Sequence, residues 1–507
     1  MAKPPQDDTF FGSMKTISKE DFGYMQARHL LNRAGFGGSP RQISMLAAMG
    51  PEAAVDTLIN FEKTSVEPIE EDLFDKDIMR PPNPEEQEIV TRARRAGDET
   101  TLARIRAEQQ SRQRRDRAQI RAIQTWWLTR MIESPRPLEE KMTLFWHGHF
   151  ATSYRTIENS YHMFLQNQTF RSHALGNFGD LLFAVIRDPA MIAYLDNNDS
   201  RKGRPNENLA RELMELFSLG VGNYNENDIK EGARALTGYT FEDDKFVFRR
   251  ENHDDGSKTI LGKRGTLDGD DFVIAILQKR ACADFMTRKL YRYFVADLPE
   301  DASEIPAKGK TYLNRISSSM LSGKYEIKAV LQRLFLSEHF YSSAVMNEQI
   351  KSPVQLIVGS VRSMNTPTRD LSILLDALDL MGQHIMYPPS VAGWDGGRSW
   401  INTSTMFVRQ NILSFLLTGR TTRGYDPTAR TEKFDPMPLL EELASAGGDK
   451  DVSRVIEYLL RFTIGSAPLH AQDALQSLAK QSGGTVTPDI VTALLLLISA
   501  MPEYQLC

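Results

Sequence analysis

From Asp21 to the end of the chain, apolar side chains recur three and four positions apart. Strict apolar–polar alternation occurs in one stretch only, YTFEDDKFVFRR at 239–250. A period of 3.6 buries one face of a helix, and a period of 2 buries one face of a strand. The sequence therefore predicts an all-α, multi-helical fold with one small β-hairpin near 239–250. Three parts follow from composition. Residues 1–20 are polar and proline-containing and read as a flexible arm. Residues 21–420 form the main helical domain, interrupted at 68–84 by an acidic, proline-rich linker or surface loop. Residues 421–507 form a C-terminal helical segment packed on the main domain, after an acidic Pro- and Gly-containing break near 420–450.

The stretch Pro205 to Gly220, PNENLARELMELFSLG, reads as one helix. Asn206 is its N-cap, Glu207 carries negative charge where the helix dipole favours it, and Gly220 ends it. Leu209, Leu213, Leu216 and Phe217 form an apolar stripe. The opposite arc carries Glu207, Asn208, Arg211, Glu212 and Glu215. Such an arc is either a solvated face with i,i+4 ion pairs or the carboxylate wall of a site.

Composition limits the function. The chain has 507 residues, 41% of them hydrophobic, and a net charge of −5. That balance argues against a nucleic-acid partner. The arginine-rich segment between Arg92 and Arg121 has interspersed acids and no interleaved aromatics, which reads as a solvated helix. Cys282 and Cys507 lie in no CxxC pattern, so no thiolate metal site is indicated. Ile490 to Met501 is too short to span a bilayer and reads as a buried helix. The N-terminus shows no apolar signal-peptide core. As written the sequence reads as cytoplasmic; a removed leader would make the protein exported or periplasmic. Oligomeric state is not legible.

Candidate chemistry rests on residues at junctions between elements. His147 and His149 flank Gly148; on an extended or turning segment such a pair can place two imidazoles on one metal. His253 follows the hairpin in a His-Asp-Asp-Gly loop that is also a good turn sequence. These histidines are the candidate metal ligands. Glu207, Glu212, Glu215 and Arg211 are the candidate catalytic set, with Asp196 behind them. Nitrogen and carboxylate ligands together suit zinc, iron or manganese. Without a metal, two carboxylates can act as acid and base in glycoside hydrolysis. Glu207 and Glu215 lie about 12 Å apart by helical rise, which favours the closer pair Glu212 and Glu215. The long loop 382–404 carries Trp394, Asp395, Arg398 and Trp400. These residues read as a substrate-binding wall, or as anchors that fold the loop onto the helical body. No P-loop, dinucleotide fingerprint or nucleophile elbow is present.

Several blocks, taken in order, resemble a known family. They are RHLLNRAGFG (28–37), EKMTLFWHGHFATS (140–153), DPAMIAYLDN (188–197), PNENLARELMELFSLGVG (205–222), DIKEGARALTGYTF (228–241), HDDGSKTILG (253–262) and YPPSVAGWDGGRSWINTS (387–404). Together they are similar to the bacterial family called domain of unknown function 1800, over roughly residues 20 to 505. The resemblance implies no activity. It implies that many relatives are exported and that they are often encoded beside sulfatase-like proteins. Two classes of function follow. One is a metal-dependent or carboxylate-based hydrolase acting on a glycan or other polar substrate. The other is a non-catalytic helical scaffold working with a sulfatase-like partner.

Overall fold

The computed structural model describes residues 9–70, 72–367, 369–420 and 432–507. It is mainly helical, at 62% helix, with 23 α-helices and two small two-stranded antiparallel sheets among the described residues. Residues 1–8 of the expected arm, and 421–431 at the expected break, lie outside the described residues.

Local sequence sets most helix starts. Ser39 and Gln42 form a reciprocal capping box ahead of the helix Pro40–Met49. Asn225 and Asp228 do the same for Glu226–Ala235, where Asp228 N–H donates to Asn225 Oδ1 at 3.2 Å and Asn225 N–H to Asp228 Oδ2 at 3.0 Å. The expected hairpin is present, Tyr239–Glu242 pairing with Lys245–Phe248. A second one, Lys258–Ile260 with Lys263–Gly265, was not legible. Its strands are too short to show alternation. Its turn places Leu261 at φ 50° and Gly262 at φ 86°. Two positive φ values match a type I′ turn, but Leu in the first position hides that signal.

Buried apolar residues from Phe11 to Tyr504 form one cluster. At its centre runs the helix Pro137–His149, in which every residue except Gly148 is buried. A helix apolar on all sides has no solvated face for its charges, yet this one carries Glu140 and Lys141. Glu140, fully buried, is gripped by two guanidiniums and an indole. Arg171 donates to both oxygens at 3.0 and 2.9 Å, Arg130 to Oε1 at 2.9 Å, and Trp127 Nε1 to Oε2 at 3.1 Å. The partners come from the helices Glu99–Glu133 and Ser160–Ser172. Both guanidiniums also stand over the Trp126 ring, at 5.6 and 5.1 Å. One carboxylate thus fixes the relative placement of three helices.

The basic stretch of Glu99–Glu133 stays mostly at the surface, as expected. Its exception is buried Asp116, which accepts from Tyr154 Oη at 2.7 Å and from Ser160 N–H at 3.0 Å. The helix Pro488–Ser499 buries one face, Ile490, Val491, Leu494, Leu495 and Ile498, while Leu497 on the other is exposed. No helix among the described residues is long and apolar enough to cross a membrane.

Glu140→Ala would leave two guanidiniums facing each other without a counter-charge. A loss of about 3–5 kcal/mol in unfolding free energy is expected by urea denaturation. A loss under about 1 kcal/mol would show that the network does not hold the helices.

Candidate functional site

The carboxylate-bearing helix is shorter than its sequence suggests, Asn208–Glu215, with turns continuing to Gly220. The N-cap position is Glu207, one residue later than expected; Asn206 still holds the helix start, its Oδ1 accepting from Asn208 N–H at 2.9 Å and its Nδ2 donating to Asp196 O at 3.0 Å. Asp196 itself is exposed and left-handed, at φ 55°, and contributes this backbone oxygen. Leu209, Ala210, Leu213 and Met214 face the core.

The polar arc is largely spent on neighbours. Arg211 bridges Glu207 at 3.3 Å and Glu226, at the start of the next helix, at 3.1 Å. Glu215 accepts from Tyr224 Oη at 2.5 Å. Both contacts fasten this helix to Glu226–Ala235 and to the turn between them. Glu212 is half-buried, and its carboxyl lies above the usual range. Burial is the main cause and the charge of Glu215 the second, against a smaller pull from Arg211. Tyr194 feels Glu212 in turn, so Tyr194, Glu212, Glu215 and Tyr224 form one electrostatically linked row.

The histidines lie in the core, each with a ring nitrogen on the backbone. His147 Nε2 accepts from Met386 N–H at 3.1 Å, with the ring between Trp127 and Trp394. His149 Nε2 lies 2.9 Å from Phe217 O and must donate to it. Its other nitrogen has no partner, and its ring packs among Phe145, Phe150 and Phe178. Burial pulls both imidazoles down to about 3, so both are neutral. His253 Nδ1 lies 2.8 Å from Thr237 O, with the ring against Phe248.

The structure therefore does not bring His147, His149 and His253 together with Glu207, Glu212 and Glu215. Among the described residues no three His, Cys, Asp or Glu side chains form a group able to hold a metal ion. The reason is local. The helix runs through His149, so the two imidazoles sit two residues apart on a helix rather than on an extended segment, and they leave it in nearly opposite directions. The donor set does not fit a shared zinc, iron or manganese ion.

The tryptophan loop folds against the end of the histidine-bearing helix. Met386 O accepts from Tyr154 N–H at 3.0 Å, and Ile385 O from Gln124 Nε2 at 2.7 Å. Gly393, at φ 81°, passes so close to Gly148 that an added Cβ would lie 2.1 Å from its carbonyl oxygen. Trp394 lies over Gly148 and beside His147, half-buried, with its indole N–H enclosed and unpartnered. Trp400 is buried, while Asp395 and Arg398 are exposed. His147 thus meets the loop and His149 meets Phe217, and the end of one buried helix links the two candidate groups.

Two buried groups escaped the sequence reading. Glu140 with Arg171 had one signal, charges inside an otherwise apolar helix. Asp188 had its N-cap position. It accepts from Met191 N–H and Gln166 Nε2, each at 2.8 Å, yet burial pushes its carboxyl up to about 7.

The architecture is that of a multi-helical protein organised around a buried, charge-bearing helix. A family model described as "Protein of unknown function (DUF1800)" matches residues 29–506, and the chain belongs to this family. No curated protein and no solved structure matches the chain.

Asp188 generates a pH prediction. The folded state keeps a proton that the unfolded chain releases near pH 4. Stability should therefore fall as pH rises from about 4 to about 7. Asp188→Asn keeps a good cap and removes the titration. The variant should gain on the order of a few kcal/mol relative to the parent at pH 8 and little at pH 4. Parallel unfolding curves at both pH values would refute the assignment.

Proposed function

We propose that this chain is a non-catalytic helical scaffold that works by binding a sulfatase-like partner of the kind encoded beside its relatives. The observation that carries this reading is the use made of the polar arc: Arg211 and Glu215 join their helix to the next one, through Glu226 and Tyr224. The three histidines are likewise engaged with backbone atoms inside the core. Polar groups spent this way fix helix packing.

A second reading is favoured by the raised carboxyl of Glu212 beside Glu215. In it the pair supplies acid and base to a hydrolase acting on a glycan or other polar substrate. Trp394, Asp395, Arg398 and Trp400 then form the substrate wall, with Glu207 and Arg211 at the rim.

A binding assay and a hydrolysis assay separate the two. On the scaffold reading the protein forms a 1:1 complex with a sulfatase-like protein in calorimetry and hydrolyses nothing in a glycan panel. No heat of binding, together with hydrolysis of a panel substrate, would overturn it. For the second reading, Glu212→Gln should lower hydrolysis of the best glycan in a substrate panel by about 100-fold or more with the fold intact. An unchanged rate would remove Glu212 from the chemistry.

A further inference from the structure

Five cations are buried together where the first helix, Tyr24–Ala34, meets the C-terminal part: Arg28, Arg33, Lys141, Lys351 and Arg409. Unlike Arg130 and Arg171, none of them forms an ion pair with a carboxylate among the described residues. Arg28 donates to Phe462 O at 2.7 Å, to Asn347 Oδ1 at 2.9 Å and to Thr463 O. Arg33 donates to Phe294 O at 2.9 Å and Val295 O at 2.8 Å. Lys141 donates to Asn32 O at 3.0 Å, Gly35 O at 2.6 Å and Gln355 Oε1. Arg409 donates to Gln505 Oε1 at 3.1 Å and Lys351 O at 2.9 Å, and its Nε is enclosed without an acceptor. Carbonyl dipoles soften the burial of a cation but supply no negative charge.

A small cavity opens inside this cluster. Its wall includes Arg28 and Lys351, together with Asn32, Gln355, Thr463 and Tyr504, and no carboxylate. The Lys351 ammonium stands 4.2 Å from the centre of the Tyr504 ring and donates to Tyr504 O at 2.7 Å. Its other two N–H donors have no hydrogen-bond acceptor among the described residues. The free space, about 30 Å³, holds two or three water-sized bodies, since one needs about 10–15 Å³.

We propose that this cavity binds a small monovalent anion of chloride size, held by Lys351 and Arg28. The narrow space favours a small ion, and the sign of the lining excludes a metal cation. The one ionisable side chain of opposite sign at the cluster is the thiol of Cys507, 3.5 Å from Arg33 Nη1. Arg33, Lys141 and Lys351 pull it below its ordinary value against the effect of burial. A thiolate there offsets one charge of five and lies on Arg33. Burial also brings the Lys351 ammonium down to about 7, so an anion beside it favours the charged form at mildly acidic pH.

The test is thermal unfolding of the full chain at pH 6, in sodium chloride against sodium gluconate at equal ionic strength. A ligand bound only by the folded state raises Tm with the logarithm of its concentration. For a chain of this length the expected rise is about 1 °C per tenfold increase in chloride above its Kd, with none in gluconate. Lys351→Met keeps the stem without the charge and should abolish the difference. Equal Tm in the two salts, or an unchanged chloride response in Lys351→Met, overturns the proposal. Should the variant not fold, crystals of the parent grown in bromide decide: an anomalous peak beside Lys351 Nζ and Arg28 supports the site, and its absence at molar bromide refutes it.

Discussion

A fully buried carboxylate has to be matched on every side, and Glu140 is the point from which the rest of this structure is laid out. Its two guanidiniums and one indole come from the helices on either side of its own in sequence. Because a charge in the core tolerates no slippage, those three helices have one relative placement. That placement carries His147 toward Trp127 and the tryptophan loop, and His149 toward Phe217. The end of this one helix therefore touches both the tryptophan loop and Phe217, because a structural charge network positions it.

The same core treats two classes of polar residue differently. Glu140, Asp116 and His147 find fixed partners within hydrogen-bond distance. The cations around Lys351 are met by carbonyls and one thiol, and burial brings both Lys141 and Lys351 down to about 7. A buried ammonium without a carboxylate gives up its proton more readily, so the contrast between the two regions is chemical rather than a matter of depth. Asp188 is an intermediate case, with good donors to one oxygen and too little solvent to stay ionised at neutral pH.

Much of the secondary structure was legible because its causes are local. Asn225 with Asp228 announced a capping box and YTFEDDKFVFRR a hairpin, and each interaction spans a few residues. The second hairpin was not, because Leu261 adopts a left-handed conformation that sequence rules reserve for Gly, Asn or Asp. Among the candidate residues, local pattern located Glu207, Arg211, Glu212 and Glu215 on one arc. It could not say that Tyr224 and Glu226 would occupy that arc.

What the sequence determined by itself was the helical class, the family and the element junctions where His147, His149, His253 and Trp394 stand. Periodicity, caps and breakers act between near neighbours and are written directly in the order of residues. Only the tertiary structure decided which polar groups face one another. The backbone N–H on the His147 ring nitrogen, the guanidinium on Glu140 and the carbonyl that receives the Lys351 ammonium come from chain segments tens to hundreds of residues away. Burial then sets the charge state of each group, and burial is a property of the packed whole.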